Sequence, residues 1–185
     1  MSCDLTTGRL FACKDAIGGV KEILWAPWNS VTFDALVAGE LSDILSSFTF
    51  YRWQIARNSG TFDQDVQSSM ENGTVFYQQN LSFNLQKIEA VINDEMRRAW
   101  QNRLLILVRD NNDNWHVMGY QGGAEVNGGG VKTGTAVGDM NGYENVWMAE
   151  ERIPAPLLDF DPTNTDPITG EIQGITGAVI VSPNY

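Results

Sequence analysis

The sequence predicts a mainly β fold, a two-sheet β-sandwich or partly open barrel with one flanking α-helix over about residues 86–102. Three observations predict it. Apolar runs of strand length alternate with Asn-, Asp- and Gly-rich turns along most of the chain. A single segment changes to a helical period. The 18 glycines and an aromatic content of 10% suit many short strands and turns. One helix cannot cover both faces of a sheet, so it is expected to close one open side of a sandwich or barrel.

In chain order, 20–28 (VKEILWAPW) reads as a strand ending near Pro27. Residues 34–46 are ambiguous between a short helix and a further strand pair. Residues 46–62 read as a strand followed by a turn at Asn58-Ser59-Gly60. In 73–85, Leu81, Phe83 and Leu85 alternate with Ser82 and Asn84, a strand period. The period then changes: Leu85, Ile88, Ile92, Met96 and Ala99 are separated by 3, 4, 4 and 3 residues, one apolar face of a helix. Glu89, Asp94, Glu95, Arg97 and Arg98 fill much of the rest, and Asn84 is a candidate cap. Residues 103–110 form the next strand, 111–114 (NNDN) a turn, and 115–121 the returning strand. A Gly-rich loop is expected over 127–142 and a last strand over 143–152. This gives one β domain, 1–158, and an acidic C-terminal extension, 159–185. The extension's 177–181 (GAVIV) suits an edge strand or an arm on a neighbour. No internal repeat is present.

The net charge of −11 is unevenly placed. Residues 1–109 carry 12 acids and 10 bases, a net of −2, whereas residues 110–185 carry 11 acids and 2 bases, a net of −9. Gripping a nucleic-acid backbone needs the opposite sign, so tight binding of this kind is not expected. Acid also serves solubility, which accounts equally well for any one residue. No apolar run approaches the roughly 18 residues of a membrane span. The opening lacks the charged-then-apolar pattern of a signal peptide, so the chain is expected to be made and kept in a cytoplasm. The sequons at Asn72 and Asn80 are then chance matches. Cys3 and Cys13 are expected as free thiols there, with their pairing left open.

Several motifs fall short of chemistry. The Gly-rich stretch has Val131 where a phosphate-binding loop needs Gly before Lys132-Thr133, and it lies between strands. Residues 110–121 place oxygen donors at the first, third and fifth positions of a calcium loop. However, Trp115 occupies the glycine position and Gln121 the bidentate glutamate position. Asp159, Asp161 and Asp166 form a possible hard-cation cluster or a solvated extension. His116, the single histidine, has no Gly-x-Ser-x-Gly partner and reads as structural. Glu150 and Glu151 should point to opposite faces of a strand. Asp94 and Glu95 read as a solvated helix face. Trp25, Trp28, Trp53, Trp115 and Trp147 suit core packing, subunit contacts or sugar binding, which sequence alone does not sort. No catalytic, cofactor-binding or metal-ligating residue is assigned, no cofactor is expected, and the chain is expected not to be an enzyme.

Two segments together carry a resemblance: 8–26 (GRLFACKDAIGGVKEILWA) and 71–157, whose order is strand, amphipathic helix, strand, "DNN" turn, "GY" strand, Gly-rich stretch, "GD-x-NGY" strand. This order resembles virion structural proteins of tailed bacteriophages, and among them the tail tube subunit. The motifs are structural; their order gives the signal. The resemblance implies a tail-tube-like fold, akin to the haemolysin-coregulated protein of type VI secretion. It further implies rings of six subunits that stack into a hollow tube, with neighbouring strands joined into one inner barrel. The implied partners are the chain itself and other tail proteins (sheath, terminator, baseplate or adaptor). Genomic DNA would pass through without specific binding, and no membrane is involved. The implied location is the virion tail. Long arms, the Gly-rich stretch and 34–46, are expected to reach adjacent rings. The rivals are another tail or neck component of the same fold, such as a terminator or adaptor, a β-sandwich that binds glycans through its tryptophans, and a metal-assisted hydrolase using the Asp159 cluster.

Overall fold

The structure, a computed structural model, describes residues 8–9, 14–28, 33, 36–41, 44, 49–158 and 179–181. It is a mainly β protein of two sheets with one helix among the described residues and no closed barrel. The strands are β1 (Val20–Pro27), β2 (Leu36–Val37), β3 (Glu40–Leu41), β4 (Thr49–Gln54), β5 (Gly60–Ser69) and β6 (Thr74–Gln86). After α1 (Ala90–Trp100) come β7 (Leu104–Asp110), β8 (Trp115–Met118), β9 (Glu125–Lys132), β10 (Gly142–Glu151), β11 (Leu157–Leu158) and β12 (Val179–Val181). The large sheet runs β12-β4-β1-β7-β8-β11-β3-β2 and the small one β5-β6-β10-β9.

Most of the expected elements form where the alternation placed them. The ambiguous 34–46 segment supplies an antiparallel strand pair, β2 with β3. Two expectations are corrected. Asn84 does not cap the helix: it sits inside β6, opposite Glu144, and its main-chain N–H donates to Ser59 O at 2.9 Å. The helix starts later, after Lys87 turns the chain with a φ of +67°. Its N-cap, Glu89, makes no side-chain cap bond. Instead the Tyr143 hydroxyl donates to Glu89 O at 3.0 Å and accepts from Glu89 N at 3.3 Å. The 127–142 stretch is not all loop, since its first six residues lie in β9, paired with β10 across Gly128, Gly129 and Gly130. The turn expected at Asn58-Ser59-Gly60 does form, with Asn58 at a φ of +63°, and from Gly60 the chain continues as the ten-residue β5.

The core has two compartments. Between the sheets lie Ile23, Trp25, Leu81, Phe83, Ile106, Val108, Tyr143 and Trp147, with Met96 and Ala99 of α1 closing one side. Beyond the large sheet lies a second compartment with Leu24, Ala26, Leu41, Ile44, Phe50, Leu105, Leu107, Trp115 and Val117. Strands β1 and β7 are therefore buried on both faces, which explains the unbroken run LLILV in β7. Strand β5 crosses the large sheet rather than following it. A Cβ on Gly60 would meet Val20 of β1 at 3.2 Å, Phe62 stacks on His116 of β8 at 5.3 Å, and Gln64 accepts from Ala155 N at 2.6 Å. Beyond Gln64 the β5–β6 hairpin runs clear of the large sheet. Its rungs from Gln67↔Phe76 to Ser69↔Thr74 have no β10 partner.

Candidate assembly surface

The small sheet presents a polar outer face and two borders. Leu81 and Phe83 of β6 are buried, so Gln78, Asn80, Ser82 and Asn84 lie on the opposite, outer face. The register places Asp63 and Asp65 of β5 beside Asn80 and Gln78, and Glu144 and Glu150 of β10 beside Asn84 and Gln78. The four strands together hold six acids (Asp63, Asp65, Glu125, Glu144, Glu150 and Glu151) and one base, Lys132, which pairs with Glu144 at 3.0 Å. This face is polar and net negative, and Arg103, just before β7, reaches Glu125 at 2.8 Å.

Both borders of this sheet end without a further strand among the described residues. Strand β9 at one border is nearly bare of side chains at Gly128-Gly129-Gly130. Gly129 has to be glycine, because its φ is +119° and a Cβ would fall 2.2 Å from Glu144 O. Strand β5 at the other border is exposed along most of its length. Unpaired border strands present rows of main-chain donors and acceptors to any chain that approaches.

The inner face is held by polar side chains that sequence reasoning did not find. Glu151 is 3% exposed, and its Oε1 accepts from Gln121 N at 3.0 Å and Gly122 N at 2.9 Å, pinning the link between β8 and β9. Burial pushes its pKa above the usual value, against the pull of those two bonds. Gln79 accepts from Gly119 N at 3.1 Å, and Asn145 accepts from the Trp100 indole at 2.9 Å, tying α1 to β10. The alternation Tyr143, Trp147, Ala149 already carried the signal that Glu151 faces inward. Glu22, in β1, is 4% exposed between two arginines. Arg52 Nε donates to Oε2 at 2.7 Å and Arg109 to Oε1 at 2.6 Å. Arg109 also reaches Asp113 at 2.9 Å and lies over Trp115.

The residues singled out from sequence are mostly separate. His116 lies in a groove of about 460 Å³ lined by residues 17–20, 61–64, Val108, Asp110 and Asn112. Burial lowers its pKa, opposed by Asp110, whose Oδ2 is 3.7 Å away. The Asp110 carboxylate turns back on its own hairpin, accepting from Asn112 N at 2.8 Å, Asn114 N at 2.9 Å and Asn114 Nδ2 at 2.8 Å. Those bonds outweigh burial and hold Asp110 below the usual carboxylate pKa. Lys132 ends β9 and Thr133 follows it, and the chain goes on from them to β10 with no helix between. Glu150 is exposed where Glu151 is buried, as alternation requires. Asp94 pairs with Arg97 and Arg98 on the helix surface.

Trp25, Trp115 and Trp147 are buried and Trp28 and Trp53 half-buried. Trp25 packs within 5.0 Å of Trp53 and 5.8 Å of Trp147. The tryptophans are thus mainly core. Cys3, Cys13, Asp159, Asp161 and Asp166 lie outside the described residues. Among the described residues, no three His, Cys, Asp or Glu side chains gather as a metal site, and no helix is long and apolar enough to cross a membrane.

The fold and this surface define a class: a two-sheet, mainly β protein with one flanking helix and an acidic, open-bordered small sheet. Comparison with protein-family models, curated proteins and solved structures finds no match for the chain.

Proposed function

We propose that this chain is the structural subunit of a bacteriophage tail tube, a non-enzymatic protein that assembles through the small sheet into stacked, hexameric rings and passes DNA through the hollow. The observation that carries this reading is the small sheet itself. Its two borders are unpaired among the described residues, and its outer face bears five acids, of which Glu144 pairs with Lys132 and Glu125 with Arg103, leaving the face net negative. Joining β9 of one copy to β5 of the next satisfies both borders at once and repeats around a closed ring. Such a ring turns the acidic faces inward. A negative wall repels phosphate and leaves a duplex free to slide, with repulsion screened over about 8 Å at physiological ionic strength. The β5–β6 hairpin, standing clear of the body with Val66, Met70 and Val75 exposed, is the segment best placed to touch the next ring. The order of sequence elements supports the same family.

Gly128 offers a direct test. A Cβ there meets only Val146, at 3.9 Å, so a side chain fits the monomer. Gly128→Lys puts a charge on the bare border, a device that blocks strand-to-strand association. The purified wild type is expected to sediment as rings or longer assemblies, and Gly128→Lys as a folded monomer. A wild-type monomer at all concentrations, or unchanged assembly of the variant, would contradict the role given to this border.

A further inference from the structure

The sequence holds three Asn-Gly pairs, 72–73, 127–128 and 141–142. Such a pair can close on itself, because glycine has no side chain to hinder its main-chain nitrogen from reaching the asparagine Cγ. Closure demands that the asparagine backbone leave the extended conformation. The fold separates the three pairs on this criterion. Asn127 and Gly128 are held inside β9, where Gly128 lies opposite Val146. Gly142 is clamped between Lys132 and Gln86 on its two neighbouring strands, with Leu85 O 1.9 Å from where its Cβ would be. Asn141 O also accepts from Lys87 N at 2.7 Å.

Asn72 and Gly73 are placed differently. They lie in the exposed turn over 70–73, past the last rung of the hairpin, Ser69↔Thr74. Gly73 has a φ of +61° and open space around it. The Asn72 side-chain amide touches only its own turn, donating from Nδ2 to Ser69 Oγ at 3.2 Å. No ladder bond has to break for this turn to deform.

We infer that Asn72 is a site of spontaneous deamidation. The Gly73 nitrogen attacks Asn72 Cγ and forms a C–N bond. The Cγ–Nδ2 bond breaks, and ammonia leaves with the proton from the Gly73 nitrogen. Water then opens the cyclic imide at either carbonyl, giving aspartate or isoaspartate. No oxidant or reductant takes part. Each event adds one negative charge beside Glu71, at the tip of a hairpin that already carries Asp65. The isoaspartate product also lengthens the turn by one methylene. The charge of this tip therefore drifts with the age of the molecule wherever the turn is left uncovered.

The test is peptide mapping by mass spectrometry of the purified full-length protein, incubated at mildly alkaline pH below its unfolding temperature. The peptide containing Asn72 is expected to gain the deamidation mass and isoaspartate first. Those containing Asn127 and Asn141 keep their mass over the same interval. Ion exchange should resolve a form one charge more negative, and Asn72→Gln, with unchanged thermal unfolding, should lose it. Equal conversion at all three pairs, no conversion at Asn72, or an unchanged drift in Asn72→Gln would overturn the assignment.

Discussion

Glu22 lies in a strand covered on both faces, and its two arginines make that position tolerable. A buried ion pair contributes little net stability when whole but is costly to break. Glu22→Ala leaves Arg109, whose side chain is only 12% exposed, with Asp113 as its remaining carboxylate. The expected loss is about 3 kcal/mol, the low end for a broken buried pair, measured by urea denaturation, and Glu22→Ala combined with Arg109→Leu should recover part of it. Glu151 makes the opposite case. Its folded pKa is raised, so its protonated form is favoured in the native state. The stability it contributes is full below the unfolded value and lost as pH rises through the raised one. Glu151→Gln keeps an acceptor for Gln121 and Gly122 but removes this titration. Thermal unfolding at a series of pH values should show the wild type gaining on the variant as pH falls from 7 towards 4.5, the ordinary glutamate value. Asp110 and Asp113 are held low, burial opposing the bonds to Asn114 and Asn112 in the first and Lys21 donating to the second. Their contribution is present above the usual 3.8 and lost as pH falls through their lowered values, so the β7–β8 hairpin loses this support in acid.

The helix is an element whose ends are set from outside. With no side-chain cap of its own, α1 takes its start from the Tyr143 hydroxyl. Tyr143→Phe is expected to cost about 1 kcal/mol. Met96→Ala, at a fully buried position on its inner face, should cost about 2–5 kcal/mol in the same denaturation experiment. The inner face of α1 was legible because Ile92, Met96 and Ala99 repeat at helical spacing. Its start was not, because the +67° φ at Lys87 and the Tyr143 clamp are tertiary features that Asn84 does not announce. Strands β1, β6, β7 and β10 were legible from apolar alternation or runs. Strand β9 was hidden because three glycines carry no hydrophobic period; its identity comes from pairing with β10. Strand β5 was hidden for a related reason, since beyond Gln64 it no longer faces the large sheet and needs no apolar alternation. Glu22 and Gln79 were missed because a polar residue in a strand reads as exposed until its partners are known.

The whole molecule is divided by charge as well as by layers. The small sheet holds six acids and one base, with Glu144 paired to Lys132 and Glu125 to Arg103, whereas the large sheet's charges are largely paired, as around Glu22. Much of the acid of residues 110–185 that lies within the described fold is at the surface, with Glu151 the buried exception. Under the proposed reading, an acidic outer face and two borders unpaired among the described residues find a common use where copies meet side by side. Fluorescence anisotropy with a short DNA duplex at low salt is accordingly expected to report no tight binding by the assembled protein. The central claim is that the small sheets of separate copies complete one another around a closed ring. Negative-stain imaging of the purified protein tests it most directly. Hollow rings with a pore that admits a duplex, or stacks of such rings, are the expected result. A field of compact single molecules with no ring at any concentration or salt would contradict it.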